Sequence, residues 1–148
     1  MNRAAARSAP GWDNGGMNPE ANTPTPYERM GGEPVLRELV DRFYDLMDLE
    51  PGYAPLRRAH PGTLENGRKR LFMFLSGWLG GPPLYTDEFG HPMLRARHLP
   101  FSIGVVERDQ WMACMTQAME EVGMDELLRL QLASALFKTA DWMRNREG

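Results

Sequence analysis

Apolar residues recur at helical spacing along most of the chain after residue 25. From Glu33 to Pro51 they return every three or four residues, which is the spacing that puts side chains on one face of a helix. The apolar positions of this segment are Leu36, Leu39, Val40, Phe43, Leu46 and Met47. The pattern predicts a long amphipathic helix, and Tyr44 lies on the same apolar stripe.

Three later segments have the same period. Their apolar positions are Leu64, Leu71, Phe74, Leu75 and Trp78, with Gly67 on the same face, then Trp111, Met115, Ala118 and Val122, and finally Leu128, Leu132, Leu136 and Met143. A glycine and proline run at residues 80–82 ends the first of these helices, and Gly123 ends the second. Asp125 is the predicted cap of the last helix.

Shorter elements are indicated by their boundary residues. Thr25 is followed by a proline and then by Glu28, the arrangement of a capping box, and the glycines at 31 and 32 end that helix. The connection from Tyr53 to Gly62 is rich in turn residues and predicts no long element.

A short helix is also predicted around His91-Pro92, with Leu94 and His98 one turn apart. Pro100 disfavours helix at the residue before it, so His98 lies at a helix end.

These elements define the fold class. No segment alternates with period two for long enough to indicate a strand, so we predict an all-α protein. Helices of unequal length, separated by glycine and proline corners, favour crossed layers over an up-and-down bundle.

Composition limits the classes of partner. The chain has 148 residues, enough for one domain with a core, and a formal net charge of −3. We therefore expect binding neither to nucleic acid nor to anionic membrane surfaces. The longest uncharged run, 71–86, is too short to span a bilayer. Cys114 is the only cysteine, which excludes an intramolecular disulfide and fits a cytoplasmic protein.

The first 24 residues differ in composition from the rest. They are rich in Ala, Asn, Gly and Pro and poor in branched apolar residues. Such a segment buries too little apolar surface to offset the entropy of ordering. We expect a disordered tail at residues 1–24 and a folded domain at residues 25–148.

Histidine is the first candidate for chemistry, because phosphate-loop, dinucleotide, zinc-protease and nucleophile-elbow motifs are absent. His98 shares a helix face with Leu94, so its imidazole should point toward an apolar space that would suit a haem iron. Its other ring nitrogen could donate to a carbonyl one turn earlier. Taken alone, a histidine so placed is more often a core residue satisfied by hydrogen bonds or a surface residue in a basic run.

Two aromatic residues add polar hydrogens. Tyr44 and Trp111 each carry a donor on an apolar helix face, where burial without an acceptor is costly. A carbonyl or a buried water could accept from either one. Together with a histidine on another element, they suggest a pocket for a polar diatomic ligand.

The sequence runs that carry these residues resemble the truncated haemoglobins of the second group, from Tyr27 to the last helix. The runs are Arg42-Phe43-Tyr44, Gly90-His91-Pro92, Arg95-Ala96-Arg97-His98-Leu99-Pro100-Phe101 and Glu107-Arg108-Asp109-Gln110-Trp111, together with the glycine corners at 31–32 and 80–82. The resemblance implies a truncated globin-like 2-on-2 helical sandwich around a haem b group.

The resemblance also implies residue roles. His98 matches the proximal iron ligand, and Tyr44, Trp111 and His60 match distal positions around the bound ligand. Gly67 falls where many globins have a distal histidine, and Leu71 falls one turn later, over the iron. Four further residues match cofactor contacts, with the basic ones near the propionates: Arg70, Arg97, Phe74 and Phe101.

The function implied is reversible binding of dioxygen, nitric oxide and carbon monoxide at a five-coordinate iron with a polar distal pocket. Enzymatic alternatives are conversion of nitric oxide and dioxygen to nitrate, and peroxidase chemistry. Either would need a separate reductase, because the chain carries no flavin or nicotinamide segment. We expect a monomer or a homodimer.

A third class of function also stays open. It comprises a haem-free helical interaction module, and a non-haem metal site formed by His60, His91 and His98. The metal site lacks a carboxylate at a suggestive spacing, and the interaction module leaves the inward-facing Tyr44 and Trp111 unexplained.

Overall fold

The computed structural model describes residues 23–99 and 101–146, and every regular element in that part of the chain is a helix. The helices are α1 (Pro26–Met30), α2 (Glu33–Leu49), a 3₁₀ turn (Pro51–Tyr53), α3 (Ala54–Arg58), α4 (Glu65–Trp78), α5 (Leu84–Phe89), α6 (Leu94–His98), α7 (Val105–Glu121) and α8 (Glu126–Trp142). The all-α prediction is confirmed. The described residues do not include residues 1–22 of the predicted tail, nor Pro100 and residues 147–148 of the predicted domain. What the sequence predicts for these residues stays a prediction.

The helix ends that the sequence predicts are formed by the expected side chains. The Glu28 amide donates to Thr25 Oγ1 at 3.1 Å, and the Thr25 amide donates to Glu28 Oε1 at 3.0 Å, which completes the capping box of α1. The side chain of Asp125 accepts from the Leu128 amide at 3.1 Å and caps α8. Local hydrogen bonds of this kind depend on sequence spacing alone, which is why the sequence predicts them.

Two short helices were not predicted. Helix α3 has five residues and α5 has six, so neither is long enough to repeat an apolar position over several turns. Pro55 and Pro83 lie in or next to their first turns, where proline is favourable. Periodicity cannot identify helices of this length, and their stability comes from the helices against which they pack.

The long helices form two packed pairs. Helix α2 packs against α4, helix α7 packs against α8, and α2 also packs against α7, which joins the pairs into two layers. Their buried side chains form one core. Its fully buried members include Leu36, Phe43, Met47, Met115, Met119, Leu128 and Leu132.

The glycine corner after α4 brings the chain very close to α1. Gly80 has a φ of +96°, which favours glycine, and a Cβ on Gly81 would lie 2.5 Å from Cδ1 of Tyr27. The Tyr27 amide donates to the Leu79 carbonyl at 2.9 Å beside this contact. The corner therefore anchors the first helix to the end of α4.

Within the described residues, each helix falls short of the length and apolar character that crossing a membrane requires.

Candidate functional site

His98 is the last residue of α6, and its ring nitrogens are distinguished by one hydrogen bond. Nδ1 lies 2.7 Å from the carbonyl oxygen of Leu94, and because a carbonyl only accepts, Nδ1 carries the proton. In the tautomer that this hydrogen bond selects, the lone pair is on Nε2. The ring is half-buried, with the Phe101 ring 6.5 Å away between centroids. A neutral imidazole with one nitrogen fixed by a carbonyl is the usual form of a metal-ligating histidine.

Tyr44 lies buried on α2, and its hydroxyl makes no hydrogen bond with any described residue. Burial raises the pKa of Tyr44 well above its ordinary value, although the nearby Arg68 opposes the shift. The phenol therefore keeps its proton across the physiological range. It is a hydrogen-bond donor without an acceptor of its own.

Arg68 holds α4 against this part of α2, and the sequence analysis did not single it out. Its guanidinium donates to Asp41 Oδ1 at 3.0 Å and to Asp45 Oδ1 at 3.3 Å, and it lies 5.6 Å from the centre of the Tyr44 ring. Asp41 precedes Tyr44 by about one turn of α2, and Asp45 follows it directly. The two ion pairs therefore hold the Arg68 guanidinium beside the Tyr44 ring. Only a knowledge of how α2 and α4 pack reveals that role.

Gly67 on α4 leaves room for the tyrosine hydroxyl. A Cβ at this position would lie 3.1 Å from Tyr44 Oη, which is closer than most contacts of real Cβ atoms. Leu71 follows one turn later on the same helix and is half-buried. A side chain at position 67 would therefore crowd the Tyr44 hydroxyl.

Trp111 reaches the same region from α7. Its ring is half-buried and packs on Phe43, with centroids 5.2 Å apart, and Phe43 in turn packs edge-on to Tyr44 at 5.0 Å. No described residue accepts a hydrogen bond from its indole nitrogen. Phe43, which the sequence analysis treats only as a core residue, thus links the two donors.

His60 follows α3 and is half-buried. Its Nδ1 lies 3.0 Å from the carbonyl oxygen of Leu56, four residues earlier, the same arrangement as in His98. Burial lowers the pKa of His60 below its ordinary value; the Leu56 hydrogen bond opposes this shift, and the nearby His98 and Arg57 add to it. The ring is therefore neutral at physiological pH and lies within electrostatic reach of His98.

Three of the four predicted cofactor contacts, Phe74, Arg70 and Arg97, lie near the aromatic rings of α5. The Phe74 ring lies edge-on to Tyr85 at 6.4 Å, and Tyr85 contacts Phe89 at 4.9 Å. Arg70 lies 5.2 Å from the centre of the Phe89 ring, and Arg97 lies 6.0 Å from that of Tyr85. Neither arginine forms an ion pair within the described residues. Two exposed cations therefore flank one short helix.

Sequence reasoning missed the two rings of α5. Tyr85 and Phe89 are four residues apart, which is the spacing of neighbours on a helix face, and this was the available signal.

Phe101 lies beside His98, as described above, and 42% of it is exposed.

The third histidine does not join the other two. His91 is exposed, and its Nδ1 accepts a hydrogen bond from the Met93 amide at 3.0 Å, at the turn before α6. Across residues 23–99 and 101–146 no three histidine, cysteine, aspartate or glutamate side chains come together as a metal site. The non-haem site considered from the sequence is thus not formed by these residues.

The arrangement fits a haem group. An imidazole whose Nδ1 is held by a carbonyl lies on one element, two hydrogen-bond donors without protein acceptors lie on two others, and α4 carries half-buried apolar side chains. Arg70 and Arg97 have no carboxylate partner among the described residues and lie near the aromatic rings of α5. Both guanidinium groups can therefore bind an anion. These are the polar and apolar contacts that an iron porphyrin with propionate groups requires.

The layered helix pairs and the imidazole site together define a globin-type haem protein. The family model of bacterial-like globins matches residues 25–145, and the chain belongs to this family. Membership makes it a haem-based protein that binds diatomic gases.

Individual relatives agree with this assignment. The group 2 truncated hemoglobin YjbI of Bacillus subtilis is 45% identical over 121 residues, which is 82% of this chain and 89% of the relative. The group II 2-on-2 hemoglobin of Agrobacterium tumefaciens superposes with a TM-score of 0.82 at 39% identity, covering 88% of this chain and all of that one. The truncated oxygen-avid haemoglobin of Bacillus subtilis superposes with a TM-score of 0.74 at 44% identity over 82% of this chain and 100% of its own. The predicted 2-on-2 fold and the predicted family are confirmed.

Proposed function

We propose that this protein binds dioxygen reversibly, and nitric oxide and carbon monoxide with it, at a haem b whose iron takes His98 as its protein ligand. Haem supplies an iron atom with an open sixth position when only one histidine coordinates it. The observation that carries the proposal is the buried Tyr44 hydroxyl, a permanent donor without a protein acceptor. A relative at 44% identity is described as oxygen-avid, which supports the choice of ligand.

The residues of this chain have distinct roles in the proposal. The Leu94 carbonyl holds the His98 ring through Nδ1, so that Nε2 would be the atom that coordinates the iron. Tyr44 and Trp111 donate hydrogen bonds to a ligand that carries partial negative charge, and Leu71 and Gly67 line the same side. Phe74 and Phe101 would pack on the porphyrin ring, and Arg70 and Arg97 would bind its propionates.

Donors of this kind retain a polar ligand. A hydrogen bond to a charged or partly charged acceptor contributes about 1.5–3 kcal/mol, so losing one should speed ligand release by roughly tenfold or more. We therefore expect slow dioxygen release, which suits storage or redox chemistry better than bulk delivery.

The experiment has two parts. Visible spectra of the haem-loaded protein should show a Soret band that shifts with carbon monoxide after reduction. Stopped-flow measurement should then show about tenfold faster dioxygen dissociation in Tyr44→Phe and Trp111→Phe than in the parent protein. A folded, haem-supplied protein without a Soret band would overturn the proposal, and unchanged rates in both variants would remove the donor roles.

Location and partners complete the proposal. The single cysteine supports a reducing compartment, and we propose the cytoplasm on that ground. A reductase is required only if the iron is oxidised during turnover. An assay with an added reductant distinguishes the two cases, because an enzyme turns over repeatedly, whereas a binding protein reacts with one equivalent of ligand and stops.

A further inference from the structure

We propose that Asn145 is a positioning residue for the iron ligand: its side-chain amide holds the end of α6 and thereby fixes the position of the His98 ring. This inference rests on the proposed function, which makes His98 the protein ligand to the haem iron. Asn145 lies 47 residues after His98 in the chain, beyond the end of α8. The sequence analysis does not single it out.

Helix α6 is too short to hold His98 in place by itself. It has five residues, none of them buried, and no side-chain hydrogen bond caps its first turn. The residue before it, Met93, has a φ of +49°, which is uncommon outside glycine. Isolated helices of this length are unstable in water. The position of His98 therefore depends on contacts from elsewhere in the fold.

The side chain of Asn145 supplies such contacts at the end of α6. Its Nδ2 donates to the carbonyl oxygens of His98 at 3.3 Å and of Phe101 at 2.8 Å, and its Oδ1 accepts from the Ile103 amide at 2.9 Å. A helix leaves its last carbonyls without partners inside the helix, and the His98 carbonyl is one of these. Asn145 therefore binds α6 at the residue that would coordinate the iron.

Only a primary amide can make this set of contacts. The Ile103 amide is a donor and needs an oxygen atom, whereas the two carbonyls are acceptors and need N–H groups, so the two ends of the Asn145 amide cannot be exchanged. A carboxylate in the same place would direct an oxygen at two carbonyl oxygens. An alanine would leave all three backbone groups without this partner.

The segment that carries Asn145 is held in place independently of this side chain. The Asn145 backbone amide donates to the Ile103 carbonyl at 2.8 Å. Arg95 of α6 also binds the end of α8, since its Nη1 donates to the carbonyls of Trp142 at 2.9 Å and Arg144 at 2.8 Å. Removing the Asn145 side chain should therefore leave the segment beside α6.

These contacts bear on the strength of the iron ligand. The Nδ1 proton of His98 is donated to the Leu94 carbonyl at 2.7 Å, within one turn of α6. A histidine whose second ring nitrogen donates to a carbonyl is a more basic metal ligand. When the end of α6 frays, this hydrogen bond lengthens, and the imidazole becomes a weaker and less uniformly oriented ligand.

The direct test is the iron–histidine stretching band in resonance Raman spectra of the full-length, haem-loaded, ferrous protein. In Asn145→Ala we expect the band to broaden and to move to lower frequency than in the parent protein, because the Nδ1 hydrogen bond of His98 is weaker. Asn145→Asp should shift the band at least as far, since its carboxylate faces two carbonyl oxygens. A band that is unchanged in either variant overturns the proposal.

Asp125→Ala is the matched control for a loss of stability alone. It removes the hydrogen bond from the Leu128 amide to Asp125 at the N-terminal end of α8, the helix that Asn145 follows. We expect this variant to be less stable than the parent and to keep the parent iron–histidine band. Equal shifts in Asp125→Ala and Asn145→Ala would show that the band follows general stability, and would overturn the positioning role.

Amide hydrogen exchange of the same haem-loaded proteins gives a measurement that does not involve the iron. The Ile103 amide should exchange about tenfold faster in Asn145→Ala than in the parent, because its acceptor is lost. In Asp125→Ala it should exchange at the parent rate. Unchanged exchange of Ile103 in Asn145→Ala would contradict the proposal.

The same spectra separate failure of this inference from failure of the proposed function. A folded, haem-supplied parent protein without a Soret band removes the proposed function and this inference with it. A parent with both a Soret band and an iron–histidine band, together with variants whose iron–histidine bands match it, removes only the role of Asn145.

Discussion

Tyr44 and Gly67 depend on each other at the scale of single residues. The hydroxyl of one occupies the space that the side chain of the other would fill, since a Cβ at Gly67 would lie 3.1 Å from Oη. Gly67 therefore leaves space for the Tyr44 hydroxyl, although a glycine inside a helix lowers helix stability by about 1 kcal/mol relative to alanine.

Gly67→Ala should displace the Tyr44 hydroxyl and weaken its hydrogen bond to the bound ligand. We expect dioxygen dissociation to accelerate by roughly tenfold. Chemical unfolding should show a stability change within about 1 kcal/mol, because the gain in helix propensity offsets the crowding. Gly52→Ala is the control, since a Cβ there meets nothing within 4 Å. Equal dissociation rates in Gly67→Ala and the parent would contradict the dependence.

Cys114 is a buried thiol with a structural contact. Its Sγ donates to the Phe43 carbonyl at 3.3 Å, and burial raises the pKa of the thiol to about 12. A thiol that resists ionisation reacts slowly, so Cys114 is a core residue and not a nucleophile.

The raised pKa of Cys114 makes stability depend on alkaline pH. In the unfolded chain the thiol ionises near its ordinary pKa of 9.0, whereas in the folded protein it stays protonated to about 12. Its contribution is therefore complete below pH 9 and is lost as pH rises toward 12. By pH 11 the free energy of unfolding should have fallen by about 3 kcal/mol relative to that of Cys114→Ala. Urea unfolding of both proteins at pH 8 and pH 11 measures this, and a constant difference would refute it.

At the scale of the helices, two helix ends are stabilised by side chains that are close in sequence. The cap of α8 and the capping box of α1 use side chains within three residues of the backbone groups that they satisfy. Helices α3 and α5 have no such side-chain caps and depend on their neighbours.

Removing the cap of α8 should have a measurable cost. Asp125→Ala leaves the Leu128 amide without its acceptor and should lower the free energy of unfolding by about 1 kcal/mol. Asp125→Asn keeps an oxygen at the same place and should stay within a few tenths of a kcal/mol of the parent. Thermal unfolding of the three proteins under one haem-loading condition compares them, and equal losses in both variants would indicate that the charge matters and not the cap.

At the scale of the whole molecule, the two helix pairs leave a site that is completed by a cofactor. The residues proposed around haem come from four helices and two connections, and several of them are only half-buried. Haem would contact many of these residues at once and tie the layers together.

Haem loading should therefore stabilise the fold. A ligand that binds only the folded state adds about 2.7 kcal/mol when present at a hundred times its dissociation constant. We expect the haem-loaded protein to melt at a higher temperature than the haem-free protein, as measured by circular dichroism. His98→Gly should lose most of that difference. Identical melting temperatures with and without haem would show that the cofactor does not bind the folded state.

The sequence predicts the fold of this protein more completely than the contacts around its candidate site. Long helices, their ends and the all-α class were predictable, because periodicity and caps act over a few residues. The sequence also predicts that one ring nitrogen of His98 donates to a carbonyl one turn earlier, and the structure gives that partner as the Leu94 carbonyl, 2.7 Å from Nδ1. The short helices and the aromatic rings of α5 were not predicted, since their packing partners lie elsewhere in the chain.

The amino-acid sequence by itself determined which helices form, where they end and which polar groups they carry. Only the tertiary structure decided which of these groups meet: Tyr44 with Gly67, Phe43 with Trp111, and Arg68 with Asp41. The physical reason is distance along the chain. Helix formation depends on neighbours within about four residues, whereas these contacts join residues on different helices, and only packing of the layers brings them together.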